Sequence, residues 1–111
     1  MTLKTYAFDI DGVICDTKNR QYNTSKPNIN AINKINSLHD TGHKIIIFTA
    51  RFMGRTNNNY KKAHELGYEL TLKQLSKWGV RFDMLILGKP SFDVLIDDKA
   101  FNYSESWIRD L

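Results

Sequence analysis

The run Ile45-Ile46-Ile47-Phe48, inside "HKIIIFTA", is apolar without any alternation. A strand with one wet face alternates apolar and polar residues, because successive side chains point to opposite faces. A continuous run instead predicts a strand buried on both faces, as in a parallel sheet covered by helices. Three further short runs have the same character: "TYAFDI" (5–10), "DMLILG" (83–88) and "DVLID" (93–97), each bounded by Gly, Pro or Asp. Helical patterns fall between them. "KPNINAINKINSLHDTG" puts Ile29, Ile32, Ile35 and Leu38 on one stripe, with Pro27 near the start and Gly42 for a left-handed stop. "TNNNYKKAHELG" and "TLKQLSKWG" each run from Thr to Gly and predict two helices capped by Thr56 and Thr71, and "SESWIRDL" predicts a last one. The polar stretch 15–27 has no pattern and predicts a mobile loop. This alternation of β and α predicts a parallel α/β sandwich.

At 111 residues the chain has room for one core, so 1–111 reads as a single domain. Its hydrophobic content of 41% and charged content of 25% are those of ordinary globular proteins, so composition excludes neither enzyme nor binding module. No apolar run approaches the roughly 20 residues that span a bilayer. "MTLKTYAFDI" enters a strand with no signal-peptide pattern, so the expectation is a cytoplasmic protein without a membrane partner. The single cysteine, Cys15, permits no internal disulfide and reads as a buried packing residue. Sixteen basic residues against 12 acidic give +4, which suits anionic substrates. The basic residues are scattered, which argues against nucleic acid as the partner.

Ligands of open α/β sheets bind at the carboxyl ends of the strands, and four acidic residues lie there. These are Asp9 and Asp11 in "FDIDG" and Asp97 and Asp98 in "LIDD". Crowded carboxylates need a cation or a proton, and with Thr49 and Lys89 they suggest a site for Mg²⁺ and a phosphate. Asp9 is assigned as a nucleophile that forms an aspartyl-phosphate, and Asp11 as the acid and base that serves it. Asp9 and Asp97 are the expected direct Mg²⁺ ligands, with the main-chain carbonyl of Asp11 as a third candidate and Asp98 either a direct ligand or a support behind the ligands. Thr49 and the amides of Ala50 and Arg51 are expected to bind the phosphoryl oxygens, with Lys89 as a point charge. Arg51, Arg55 and Asn57 are candidates for contact with a sugar or a second phosphate, and pairing with a site carboxylate competes for Arg51. His39, His43 and His64 show no metal-ligand spacing.

Asp9-Ile10-Asp11-Gly12, Thr49, Lys89 and Asp97-Asp98 match, in order, the four motifs of the haloacid dehalogenase (HAD) superfamily of phosphatases, which the chain resembles over essentially its whole length. The resemblance implies a Rossmann-like three-layer core, Mg²⁺ dependence, and the Asp9 and Asp11 roles given above. Val13 stands where that family often has Thr. The intervals between motifs hold no cap domain, and capless relatives oligomerise or act on large substrates that screen the site. The "TAR…GKP…DDKA" layout is similar to small phosphatases of capsule and surface-polysaccharide synthesis, and more distantly to the phosphatase domains of polynucleotide kinase-phosphatases.

The expected function is therefore a Mg²⁺-dependent phosphatase acting on a small phosphorylated metabolite, a sugar phosphate of polysaccharide synthesis. A nucleic-acid 3′-end phosphatase is the rival enzyme. A phospho-accepting receiver domain of similar size is the rival of another class, but there the acceptor aspartate ends a middle strand, where this chain has Thr49.

Overall fold

In the computed structural model, which describes residues 2–111, the chain runs β1 (Thr5–Phe8), β2 (Cys15–Asp16), β3 (Lys26–Pro27), α1 (Ile29–Asp40), β4 (Lys44–Thr49), α2 (Tyr60–Lys77), β5 (Met84–Leu87) and α3 (Trp107–Asp110). β1, β4 and β5 form a parallel sheet in the order β1-β4-β5, which establishes the α/β class. The register sets Phe8 beside Ile47 and Ile47 beside Leu85, so these side chains share one face. That face is dry. Phe8, Ile45 and Ile47 join Ile32, Ile35 and Leu38 of α1, Leu75 of α2 and Trp107 of α3 in one cluster. Each such side chain contributes roughly 1.5–3 kcal/mol by leaving water.

The other face behaves differently. Ala7 and Met84 are exposed, while Ile46, Phe48 and Ile86 are only half-buried. The continuous apolar run of β4 is thus dry on one side alone, because all three helices feed the same cluster. β1 is also an edge: β4 is its single partner among the described residues.

The expected strand over 93–97 does not form. Val94, Leu95 and Ile96 are 76%, 52% and 94% exposed, and no ladder takes up their backbone groups. An apolar run this short holds an extended form only through a partner's hydrogen bonds, and here none is supplied.

Two expected helices are one. α2 is continuous through Gly67 and Thr71 and is capped by Asn59, whose side chain accepts from the Lys62 amide. Gly67 does not stop the helix, because its role is in packing: the Phe52 ring occupies the space a Cβ would need. Thr71 is buried mid-helix rather than capping. α1 starts at Asn28, whose side chain caps Ala31, and Ile29 of the expected stripe is 59% exposed. Gly42 ends that helix region at φ +101, as its sequence position predicts. The stretch 15–27 is more ordered than a patternless loop: β2 pairs antiparallel with β3, and a 3-10 turn spans Tyr22–Thr24 between them. Among the described residues, no helix is long and apolar enough to cross a membrane.

Candidate functional site

The carboxyl ends of the three parallel strands open on one cleft of about 250 Å³. Asp9, Asp11, Thr49, Ala50 and Arg51 line it, together with Thr17, Arg20, Tyr22, Gly54, Arg55 and Ser91. Asp9 is the first residue past β1. Its Oδ1 accepts from the Ile10 amide at 2.8 Å, and its Oδ2 lies 3.9 Å from Lys89 Nζ. Burial pushes the Asp9 carboxyl above its ordinary value, against the opposing pull of Lys89 and the Ile10 amide.

Gly12, at φ +89, turns the chain back so that the amides of Val13 and Ile14 both reach the Ile10 carbonyl. This turn brings Asp11 over Arg51. Arg51 Nε donates to Asp11 Oδ2 and Nη2 to Oδ1, both at 2.9 Å, and the Thr17 hydroxyl donates to Oδ1 at 2.5 Å. Arg51 is 1% exposed and is held from every side. Its Nη1 donates to Gln74 Oε1 of α2 at 2.6 Å, and its guanidinium lies 4.7 Å from the Tyr22 ring centre. Gln74 in turn donates to the Tyr22 carbonyl, which ties the 15–27 stretch to α2.

Thr49 is fully buried at the end of β4, where its hydroxyl accepts from the Arg51 amide at 3.1 Å. The Lys89 amide donates to the Thr49 carbonyl, fixing the turn after β5 against the end of β4. The cleft therefore gathers Asp9, Asp11, Thr49, Ala50, Arg51 and Arg55 of the residues expected from sequence, with Lys89 against Asp9. Asn57 is exposed, in a left-handed turn at φ +54, and does not line the cleft. Asp97 and Asp98 lie in the exposed segment after Ile96, where Asp97 Oδ1 accepts from the Lys99 amide. His43 accepts from the Lys4 amide and His64 stacks on Tyr68, both structural duties. Cys15 is buried, and burial pushes its thiol up from its ordinary value.

A divalent cation of the Mg²⁺ type takes six oxygens, usually one or two carboxylates with waters and phosphate. Among the described residues, no group of three or more His, Cys, Asp or Glu side chains is placed to hold a metal. Asp9 offers a carboxylate, but both oxygens of Asp11 already accept from Arg51 or Thr17. The donors as arranged do not complete a cation site.

Thr17, Arg20, Tyr22 and Ser91 were not legible as site residues. Thr17 and Tyr22 sit in a stretch with no periodic signal, and their place follows from the Arg51 and Gln74 contacts that only the fold creates.

No family model matches the chain, and no curated protein aligns with it. Among solved structures, it is similar to the crystal structure of an MCSG target from Vibrio cholerae, at 25% identity and a TM-score of 0.82, over 97% of this chain and 95% of that one.

Proposed function

We propose that this chain is a phosphomonoester hydrolase of the HAD type that acts through an aspartyl-phosphate. One observation carries the reading: Asp9, Asp11 and Thr49, from two strand ends, line a single cleft, and Lys89, from the turn after the third strand, lies 3.9 Å from Asp9. In the reaction, an Asp9 carboxylate oxygen attacks phosphorus while the bond to the leaving oxygen breaks. The departing alkoxide takes a proton from Asp11. Water, relieved of its proton by Asp11, then attacks the same phosphorus and breaks the bond to Asp9, freeing inorganic phosphate. Lys89 offsets negative charge on the phosphoryl group, and the Thr49 hydroxyl, whose oxygen accepts from the Arg51 amide, keeps its proton to donate to a phosphoryl oxygen beside the Ala50 amide. For Asp11 to serve the leaving group, it must first take up a proton from solvent and exchange one of its bonds to Arg51 or Thr17 for one to the leaving oxygen. The proton it later takes from water restores it for the next cycle.

Magnesium dependence and the three-layer Rossmann-like form belong to this reading, and both call on the 93–97 segment. Laid parallel along the free edge of β1, with Val94-Leu95-Ile96 beside Tyr6-Ala7-Phe8, it would bring Asp97 level with Asp9. The substrate is a small phosphorylated metabolite, with a sugar phosphate of surface-polysaccharide synthesis as the leading class. The test is phosphate release from a panel of phosphorylated metabolites and 3′-phosphorylated oligonucleotides, with and without Mg²⁺, beside Asp9→Asn. Release that falls by a thousandfold or so in the variant is expected for a lost nucleophile. Ordinary activity in Asp9→Asn would remove Asp9 from the chemistry.

A further inference from the structure

Arg51 offsets Asp11, and Lys89 approaches Asp9 from beside the cleft, which leaves the guanidiniums of Arg20 and Arg55 in the cleft lining as surplus positive charge. Among the described residues neither forms an ion pair, and the Arg20 side chain donates no hydrogen bond to protein. Exposed arginines are commonly just solvated. Here the Arg55 guanidinium is held by contacts, and Arg20 is placed by its backbone. Arg55 Nη2 donates to the Arg20 carbonyl at 2.8 Å, and its guanidinium lies 4.6 Å from the Phe52 ring centre and 5.1 Å from that of Tyr22. Arg20 follows Asn19 in a pair of left-handed non-glycine residues, at φ +55 and +54, and Phe52 is at +66. Conformations of this kind persist only where the surroundings enforce them, and they concentrate at binding sites.

Gly54 completes the pocket. A Cβ placed there would lie 3.6 Å from Arg20 Nη1 and 3.6 Å from Ser91 Oγ, so the glycine sits where the guanidinium and the hydroxyl come together. Ser91 is fixed in turn by Asn58, whose side chain accepts from its amide at 2.9 Å and whose own φ is +59. Two planar forks with free N–H groups, one hydroxyl and an aromatic wall form the chemistry of an oxyanion receptor.

We propose that Arg20, Arg55 and Ser91 form a second anion subsite, which takes a carboxylate or second phosphate carried by the same small molecule whose phosphoryl group meets Asp9. The proposal rests on the phosphatase reading for the first anion and names the substrate class: a phosphomonoester with a further negative group. A small molecule fits better than a polynucleotide. The cleft is about 250 Å³, and its one aromatic lining residue, Tyr22, is enclosed by Arg51 and Arg55 rather than presented for base stacking.

The test is calorimetric binding, in chelator and at fixed ionic strength, of α,ω-alkylenediphosphonates of increasing length against alkylphosphonates of the same length. At the matching length the diphosphonate is expected to bind roughly tenfold tighter or better, the scale of one or two charge-assisted hydrogen bonds. Arg20→Gln and Arg55→Gln should bring that ratio close to one. Arg81→Gln, which alters a pair with Asp40 at the opposite end of the sheet, should keep it. Equal affinities at every length overturn the subsite. A 3′-phosphorylated oligonucleotide that outcompetes every diphosphonate through Arg20 and Arg55 overturns the small-molecule assignment. Hydrolysis of phenyl phosphate, measured in parallel, separates the two ideas. Turnover without a diphosphonate preference leaves the phosphatase and removes the subsite. A preference that depends on Arg20 and Arg55, without turnover of any phosphomonoester, keeps the subsite and removes the hydrolysis.

Discussion

Arg51 meets Asp11 edge to edge, Nε on Oδ2 and Nη2 on Oδ1 at 2.9 Å each, with the guanidinium fully enclosed and the carboxylate partly open to the cleft. Removing the enclosed guanidinium leaves the Asp11 carboxylate, only 27% exposed, without its counter-charge and Gln74 Oε1 without its donor. Arg51→Gln is therefore expected to lower the unfolding free energy by about 3 kcal/mol in urea titrations. Arg51→Lys should recover little of it, since an ammonium cannot reproduce the fork. Adding Asp11→Asn to Arg51→Gln should restore part of the loss, by about 1–3 kcal/mol of coupling. Strict additivity in that cycle would show that the pair contributes nothing to the fold.

The Asp9 carboxyl has its pKa raised by burial, so the folded chain holds this proton more tightly than the unfolded one. The sign follows: Asp9 opposes folding once pH rises above its unfolded value, and the opposition is gone below that value. Asp9→Asn should melt at higher temperature than the wild type near neutral pH in chelator, with the gap closing towards acid. With Asp9 as the proposed nucleophile, the same shift would put the acid limb of kcat/KM above the ordinary aspartate value. Equal melting curves at neutral and acid pH would mean that burial does not bear on this group.

Gly67 lies inside α2, where alanine normally adds about 1 kcal/mol of helix stability. The Phe52 ring fills that space, so Gly67→Ala should instead destabilise by about 1–3 kcal/mol, the usual range for overpacking. Since Phe52 also stacks near Arg55, the variant should weaken diphosphonate binding as well. A rise in melting temperature would show that the ring moves aside without strain.

Ile96 is 94% exposed, so Ile96→Asp should leave the unfolding free energy within about 0.5 kcal/mol when magnesium is absent. If magnesium draws the 93–97 segment onto β1, the ion should raise the melting temperature of the wild type. It should do so for neither Ile96→Asp nor Asp97→Asn. A wild type whose melting is indifferent to magnesium would remove the ion from the proposal.

The sheet could be read from sequence because Tyr6 to Phe8, Ile45 to Phe48 and Met84 to Leu87 are apolar runs bounded by turn residues, and the hydrophobic signal is local. Asp9, Asp11 and Thr49 were legible for the same reason, since each follows or ends such a run. The single helix α2 was not legible. Glycine marks a helix end by conformational freedom, and nothing in the sequence says that an aromatic ring from residue 52 will need its empty space. The 93–97 run carries the same apolar signal as a true strand, but pairing is a non-local property and is missing here. Arg20 and Tyr22 reach the cleft through contacts with residues 35 and 52 positions away, beyond any periodic pattern.

The unpaired edge of β1 has a bearing on how this protein behaves in a crowded tube. Among the described residues, one chain presents a vacant row of strand hydrogen-bonding groups in Thr5–Phe8 and, in Val94-Leu95-Ile96, an exposed apolar segment that belongs to no sheet. An open edge of this kind can accept a strand from a second molecule as well as one from its own chain, and pairing between molecules is the outcome that rising concentration favours.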